Sequence, residues 1–276
     1  MTRRRLLRSL LGTAAAAAYP CGFEPFWMEQ AERSITLKRS GLTHPIRILH
    51  LSDLHASFVV PMSLIERAVK LGIESKPDVV CLTGDFIRYR GDFDFPRYVH
   101  VLKQLAGVAP AYAVLGNHDG GVWARESWGY SDHRVVEHLL DESGIELLHN
   151  RSIHLHIRND GLSLVGVGDL WSDEIEAAPA FAGVDQSRPI ILLSHNPDSK
   201  DILGAHPWDL MLSGHTHGGQ IIVPLAGAPF APVEDKRYLA GLKPWGARQI
   251  HVTRGGGSLG GVRFRCRPEV SLLQIS

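Results

Sequence analysis

Residues 46–55 read Ile-Arg-Ile-Leu-His-Leu-Ser-Asp-Leu-His, a short apolar segment that ends in polar side chains. The pattern recurs at 79–85, Val-Val-Cys-Leu-Thr-Gly-Asp, and at 111–119, Ala-Tyr-Ala-Val-Leu-Gly-Asn-His-Asp. Apolar residues at helical spacing occupy 64–73 and 96–105 between these segments. The order of strand, helix and strand predicts a mainly parallel sheet joined by crossover helices.

A second series of short apolar segments continues to the end of the chain. We predict helices at 134–143 and 200–204, and strands at 153–157, 162–167, 190–194, 210–213, 221–223, 249–253 and 270–275. No sequence repeat or low-complexity linker separates the two series. The sequence therefore predicts an α/β fold, in which one domain over residues 45–276 contains two packed sheets with helices outside.

Polar side chains follow five of the predicted strands. They are two aspartates, one asparagine and four histidines: Asp53, His55, Asp85, Asn117, His195, His215 and His217. Ligands of open α/β sheets gather at the carboxyl ends of the strands, so we expect these side chains at one rim. An isolated aspartate or histidine at a strand end is more often a turn former or a helix cap. Five such blocks in order favour a binding site instead.

The chemistry of these side chains predicts a site for divalent metal ions. Carboxylate, amide and imidazole groups without thiolates suit Mn, Fe, Zn or Mg. Seven groups exceed what one tetrahedral ion uses, which indicates two ions, and Asp85 is the natural bridge. Residues two apart in a strand project to the same side, so Asp53 and His55 are expected to chelate one ion together. The same spacing relates His215 and His217.

The five blocks resemble those of the calcineurin-like metallophosphoesterase superfamily. They match it in order and spacing over 45–220, as Asp53-x-His55, Gly84-Asp85, Gly116-Asn117-His118-Asp119, Ser194-His195 and Gly214-His215-x-His217. Residues 214–220, with Tyr238, Gly241 and 267–269, resemble the exported, YkuE- and YaeI-like branch of that superfamily. The resemblance implies a four-layer α/β/β/α sandwich, with two mixed sheets flanked by helices.

The resemblance also implies a role for each residue. One metal takes Asp53, His55, Asp85 and His217, and the second takes Asp85, Asn117, His195 and His215. A hydroxide that bridges the two ions attacks phosphorus in line. His118 protonates the leaving oxygen, and Asp119 orients His118 and raises its pKa. The alternative for His118 is a hydrogen-bonding role behind the ligands.

Candidate substrate contacts lie close to these blocks in the sequence. Arg88 and Arg90 follow Asp85, and Trp123 follows Asp119 in a Gly-rich stretch, which indicates a basic and aromatic rim over the metals. Aromatic residues in loops are as often local packing. The arginines at 263, 265 and 267 indicate either a contact with an anionic or lipid headgroup or solvated side chains on a strand.

The composition narrows the class of protein. The 276 residues are 44% apolar, which suffices for a hydrophobic core and argues against intrinsic disorder. The formal net charge is zero, but four of the 29 Lys and Arg lie at Arg3, Arg4, Arg5 and Arg8, which leaves 25 against 29 Asp and Glu. The remaining body carries −4, and the absence of a basic tract argues against nucleic acid as a partner.

The first 22 residues resemble a twin-arginine export signal. The arginine-rich start is followed by about 10 apolar residues, too few for the roughly 20 that span a bilayer. We predict export to the periplasm or the outer face of the cytoplasmic membrane, with the segment either cleaved or kept as a weak anchor. The alternative is a basic N-terminus on a buried or peripheral helix.

The three cysteines do not form a disulfide framework or a zinc knuckle, because they are too few and too far apart. Cys81 lies in an apolar run and is expected to be a small buried residue. A bridge between Cys21 and Cys266 stays open, since only the predicted compartment supports it.

Together these patterns predict a dinuclear metal-dependent phosphoesterase that hydrolyses phosphodiester or pyrophosphate bonds. By analogy, the exported branch suggests a lipid-linked or sugar-nucleotide substrate such as UDP-2,3-diacylglucosamine, and peripheral association with a membrane. A phosphate-ester small molecule or a lipid headgroup is then the partner. The alternatives are a general phosphomonoesterase, a cyclic-nucleotide phosphodiesterase and a metal-bound scaffold that binds a partner without catalysis.

Overall fold

The computed structural model describes residues 18–39, 41–91 and 93–276. Most of the predicted export segment, residues 1–22, lies outside these ranges, so export stays a prediction. In the described ranges, no helix combines the length and the apolar character needed to cross a membrane.

The first sheet carries the opening segment of the sequence. Its strands are β1 Glu29–Ile35, β2 Ile46–Leu51, β3 Val79–Thr83, β4 Ala111–Val114, β5 Glu146–Leu147 and β12 Glu269–Ile275. Their spatial order is β1-β12-β2-β3-β4-β5. Strands β2 to β5 are parallel, whereas β12 is antiparallel to β2. All five residues of β3 are buried, as expected for a parallel strand that is covered on both faces.

The second sheet is formed by the later segments. Its strands are β6 Arg151–Ile157, β7 Asp160–Gly166, β8 Ile190–Leu193, β9 Leu210–Ser213, β10 Gly241–Trp245 and β11 Arg248–Val252. Their order is β10-β11-β9-β8-β7-β6. The four inner strands β7, β8, β9 and β11 are parallel, whereas the edge strands β6 and β10 are antiparallel to their neighbours. The prediction of two mixed sheets is confirmed.

The two sheets pack face to face with helical layers outside. Buried side chains from both sheets, such as Ile48, Val114, Leu193 and Leu212, form the core between them. The first sheet is covered on its outer face by α1 Met62–Glu74, α2 Phe95–Ala106 and α4 Arg134–Glu142. Two short helices, α3 Gly121–Glu126 and α5 Ala177–Ala180, follow loops at the strand ends, and Trp208 fills the outer core of the second sheet. The fold is the predicted four-layer α/β/β/α sandwich.

Several sequence-based boundaries differ from the structure. The segment 221–223 is not a strand; it makes only isolated bridges to Phe264 and Gly227, because the backbone turns at positive φ just before it. The prediction of a helix at 200–204 is wrong, since a 3-10 turn over Pro197–Lys200 is followed by irregular turns there. Strand β1 pairs with β12, so the first sheet extends before residue 45, where the domain was predicted to begin.

The three strands that the sequence pattern misses, β1, β5 and β10, all lie at sheet edges. Strand β1 buries only two of its seven side chains, so its apolar alternation is weak. Strand β10 contains Lys243 and Pro244, and proline is tolerated in a sheet mainly at an edge, where its missing N–H is not needed.

The cysteines are unpaired in the part of the chain that the structure describes, which includes all three. Cys81 is buried in β3, as predicted. Cys21 is exposed and Cys266 is buried, and the structure shows no bridge between them.

We expect the core between the sheets to dominate stability. Replacing Leu212, which is fully buried there, with Ala should lower the free energy of unfolding by about 2–5 kcal/mol through lost contacts and a cavity. Urea unfolding measures the change. Leu225→Ala, at a fully exposed side chain, is the matched control and should change the value by less than about 0.5 kcal/mol. Equal losses in the two variants would contradict the assignment of the core.

Candidate metal centre

Five loops at the carboxyl ends of the strands bring the seven predicted ligands together. The loops after β2, β3 and β4 belong to the first sheet, and those after β8 and β9 belong to the second. All seven side chains are buried, although each is polar or ionisable. Burial of this kind is costly unless the groups are paired or coordinate a metal. The site therefore lies across the seam between the sheets.

The ligand atoms fall into two groups that share one residue. Asp53, His55, Asp85 and His217 form the first group, and Asp85, His195 and His215 form the second; within each group the ligand atoms lie within 4.8 Å of one another. The Oδ2 atom of Asp85 is 3.3 Å from Nε2 of His55 and 3.2 Å from Nε2 of His195. Asp85 is thus placed between the groups.

The donor set fits divalent cations. Nε2 of His55 faces Nε2 of His217 at 3.0 Å, and Nδ1 of His215 faces Nε2 of His195 at 3.2 Å, so imidazole nitrogens converge on the same points. The side-chain oxygen of Asn117 is buried and has no hydrogen-bond partner among the described residues. A cation placed among lone pairs of nitrogen and oxygen would satisfy all of these groups.

The backbone at the ligands is bent into the left-handed region. Of the seven candidates, five have positive φ, with values of 53° at Asp53, 46° at His55, 57° at Asp85, 67° at His215 and 51° at His217. Such conformations cost of order 1–3 kcal/mol each for residues other than glycine, and they cluster at functional sites. The explanation that Asp53 and His55 share one side of an extended strand is therefore wrong, since a tight bend brings them together.

Two glycines allow these bends to pack against each other. A Cβ atom at Gly116 would overlap the Asp85 carboxylate, and one at Gly214 would overlap Ser52 and Asp53. The Gly-Asn-His-Asp and Gly-His-x-His blocks therefore need glycine for close approach rather than for an unusual φ.

Charge inside the cluster is concentrated on Asp85 and His195. Burial works against ionised Asp85, but His195, His118 and His55 hold its pKa well below the usual range. Burial likewise opposes protonation of His195, but the carboxylates of Asp85, Asp53 and Asp169 together raise the pKa of His195 to about 10. Burial lowers the pKa of His55 to about 3. The hydrogen bond from His195 Nδ1 to the carbonyl of Thr83, 2.6 Å, aims Nε2 at Asp85.

His118 lies at the rim of the cluster. Its ring contacts the ring of His55, with centroids 4.9 Å apart, and its Nδ1 is 3.3 Å from the carbonyl oxygen of Arg88. Its backbone N–H donates to Oδ1 of Asp85 over 2.9 Å. Burial lowers the pKa of His118. The geometry leaves Nε2 of His118 as the atom available to a substrate.

Asp119 does not orient His118, contrary to the sequence-based expectation. Its carboxylate accepts hydrogen bonds from the backbone amides of Gly116, Asp85, Phe86 and Ile87, at 2.7–3.3 Å. Nδ1 of His118 faces the carbonyl oxygen of Arg88, not the carboxylate of Asp119. The side chain of Asp119 therefore holds the loop after β3 against the loop after β4.

The predicted substrate-contact residues occupy different positions. Trp123 lies in the rim, where its ring is 4.6 Å from that of His118. The carbonyl of Arg88 faces His118, but its half-buried guanidinium lies over the ring of Tyr89, and no carboxylate of a described residue forms an ion pair with it. Arg90 is exposed and borders a surface cavity with Trp128, so the structure does not bring it to the candidate ligands.

The arginines near the C-terminus do not all face solvent. Arg263 is fully buried, and its guanidinium donates to the carbonyl oxygens of His217, Gly257 and Cys266. Strand alternation fails here, because the segment is a loop folded behind His217. Arg267 donates to the carbonyl oxygens of Trp27 and Met28, whereas Arg265 is exposed.

Two residues beside the candidate ligands were not predicted from the sequence as part of the site. Asp169 follows β7, is buried, and has one carboxylate oxygen without a partner among the described residues; burial raises its pKa to about 6. Trp171 packs its ring against that of His215, with centroids 4.2 Å apart. The position of Asp169 just after a predicted strand is the signal that could have identified it.

Comparison with known proteins is consistent with this geometry. The sequence profile of the calcineurin-like phosphoesterase family matches residues 46–219, which include all seven candidate ligands. Phosphodiesterase YaeI of Escherichia coli (strain K12) is 43% identical over 281 residues, which cover 100% of this chain and 99% of that protein. The uncharacterized metallophosphoesterase YkuE of Bacillus subtilis (strain 168) is 28% identical, with 100% and 98% covered. The UDP-2,3-diacylglucosamine pyrophosphatase LpxG of Chlamydia trachomatis is 28% identical, with 86% and 85% covered.

We expect Asp119→Ala to act on stability. Four buried amides lose their acceptor, and each amide left unpaired costs about 1–3 kcal/mol, so the free energy of unfolding should fall by at least about 4 kcal/mol. Urea unfolding of the metal-free protein measures this. Asp132→Ala, which removes the exposed pair with Arg134, is the control and should cost less than about 1 kcal/mol. Asp119→Ala as mild as this control would contradict the clamping role.

Proposed function

The chain belongs to the calcineurin-like phosphoesterase family, and on that premise we propose that it is a two-metal hydrolase of phosphodiester or pyrophosphate bonds in a lipid-linked substrate. The observation that carries the proposal is the position of Asp85. Its carboxylate belongs to both groups of candidate ligands, as a bridging ligand between two ions would.

The residues divide between the two ions. Asp53, His55 and His217 would hold one ion and Asn117, His195 and His215 the other, with Asp85 common to both. Two bound divalent ions would supply a water of lowered pKa and would offset the negative charge of the phosphate oxygens. Thr83 supports this assignment, because its carbonyl fixes the ring orientation of His195.

His118 is the proposed general acid. With Nδ1 held at the Arg88 carbonyl, Nε2 presents a proton to the leaving oxygen. In the reaction, the oxygen of water bonds to phosphorus, the bond from phosphorus to the leaving oxygen breaks, and that oxygen takes the proton of His118. The proton lost by the attacking water restores His118 at the end of the cycle.

The rim beside His118 has the chemistry to bind an anionic substrate. Arg88 is the residue whose carbonyl faces His118; its guanidinium lies over the ring of Tyr89, 4.7 Å from the centroid, and its buried Nε has no hydrogen-bond partner among the described residues. A planar guanidinium suits two phosphate oxygens at once. Trp123 and Trp171, with ring centroids 5.6 Å apart, form an aromatic wall that spans His118 and His215.

The choice of substrate is supported by two relatives. The protein at 43% identity is a phosphodiesterase, and LpxG at 28% identity is a UDP-2,3-diacylglucosamine pyrophosphatase. We infer that this chain cleaves a phosphodiester or a pyrophosphate with a lipid part. Turnover of bis(p-nitrophenyl) phosphate, p-nitrophenyl phosphate and a UDP-linked lipid side by side tests this inference. A preference for the monoester would favour a phosphomonoesterase instead.

Metal content should follow the division of ligands. We expect two ions per wild-type chain, about one in His55→Ala and in His215→Ala, and fewer than one in Asp85→Asn, because only Asp85 serves both groups. Inductively coupled plasma mass spectrometry after dialysis measures this. His154→Ala, at an exposed histidine of β6, should keep two ions. A single ion in the wild type would disprove the two-metal proposal.

Loss of His118 should depend on the leaving group. A proton donor matters most for a poor leaving group, so His118→Ala should reduce kcat by about 10²–10⁴ for an alkyl leaving group, and much less for p-nitrophenolate. Metal content should stay at the wild-type value. His138→Ala, at an exposed histidine of α4, is the control. An equal reduction for both leaving groups would assign His118 a positioning role.

A further inference from the structure

A cavity of about 250 Å³ opens directly beside the metal cluster. It begins at the ligand His217 and is lined farther out by Gln220, Ile221, Phe230, Pro232 and Leu259. No aspartate, glutamate, lysine or arginine of the described residues lines it. The end next to the metals is polar, and the rest of the wall is mainly apolar.

The wall of the cavity is held by hydrogen bonds. The side chain of Gln220 donates to the carbonyl of Leu259 and accepts from its N–H, both at 2.7 Å. The backbone of Ile222 donates to the carbonyl of Phe264 over 2.9 Å. These bonds fix the loop after β9 against residues 259–264, so the cavity is formed before any ligand arrives.

A large apolar side chain of the cavity wall is exposed to water. Phe230 is 75% exposed although it lines the cavity. Water-facing apolar surface around a preformed pocket is typical of a site that receives an apolar ligand.

A chain of contacts joins this cavity to the proposed acid His118. The ring of His118 contacts the ring of His55, and Nε2 of His55 lies 3.0 Å from Nε2 of His217, where the cavity begins. A bound molecule that crosses the cluster of candidate ligands from His118 therefore meets polar and ionisable groups first and an apolar pocket at its far end. That order fits an amphipathic phosphoester.

We propose that the cavity between His217, Phe230 and Leu259 receives a hydrocarbon chain of the substrate. This inference rests on the proposed function, and it assigns the lipid part of the substrate to a definite place. The volume falls below the roughly 300–1,000 Å³ of pockets that hold a whole small ligand, so the cavity suits one part of a larger molecule. The phosphate would lie over the metals, and the polar head would point away from the cavity, toward His118.

A series of soluble diesters tests the proposal. Alkyl p-nitrophenyl phosphates with methyl, butyl and hexyl groups present the same phosphate with an increasing hydrocarbon length. For the metal-loaded full-length protein, kcat/KM should rise with chain length by up to about fourfold per buried methylene. We expect the ratio of the hexyl to the methyl ester to reach at least about tenfold, since part of each chain stays exposed.

Variants of the cavity wall test whether the hydrocarbon chain of the substrate binds in this cavity. Phe230→Ser and Leu259→Asn should reduce the ratio of hexyl to methyl ester at least threefold, because each puts polar atoms where the chain would lie. Phe230 is mostly exposed, so its replacement should not disturb folding. Leu225→Ser is the matched control, since Leu225 is exposed on the same loop and does not line the cavity, and it should keep the wild-type ratio.

The outcomes separate this inference from the proposed function. Hydrolysis of the methyl ester without any gain from longer chains would overturn the inference and leave the phosphodiesterase proposal standing. A gain that persists unchanged in Phe230→Ser and Leu259→Asn would also overturn it, because the chain would then bind elsewhere. Failure to hydrolyse every diester would contradict the proposed function and this inference with it.

Discussion

The buried carboxylate of Asp85 is the constraint on which the rest of the site depends. It contacts histidines from both sheets, and one of its oxygens accepts the backbone N–H of His118. A negative charge in this position draws protons or cations into a region from which water is excluded. Without metal, the histidines around Asp85 supply the positive charge, and in the working enzyme divalent ions would supply it.

The two sheets must be held in register for this arrangement to exist. The first sheet supplies Asp53, His55, Asp85 and Asn117, and the second supplies the three remaining histidines. The apolar core between the sheets sets their spacing, and a buried hydrogen bond of 3.0 Å between His50 and His251 crosses the seam close to the site. The free energy gained by burying the core therefore offsets the cost of the strained backbone at the candidate ligands.

Sequence reasoning succeeded where the signal was local. Each apolar strand and the polar residues at its end are consecutive in the sequence, so the sheets and the seven candidate ligands could be predicted. It failed where the signal is spread over the chain: the bend at His55, the amides that Asp119 clamps and the burial of Arg263 depend on loops far apart in sequence. Edge strands β1 and β10 were missed because half-exposed strands lack a clear apolar pattern, and edge strand β5 was missed because it has only two residues.

The most direct test of the account is to locate metal in crystals grown with Mn²⁺. Anomalous difference density should show two peaks on either side of the Asp85 carboxylate, about 3.5–4 Å apart, one near His55 and His217 and one near His195 and His215. A single peak, or peaks that do not share Asp85, would contradict the central claim that this carboxylate joins two metal sites.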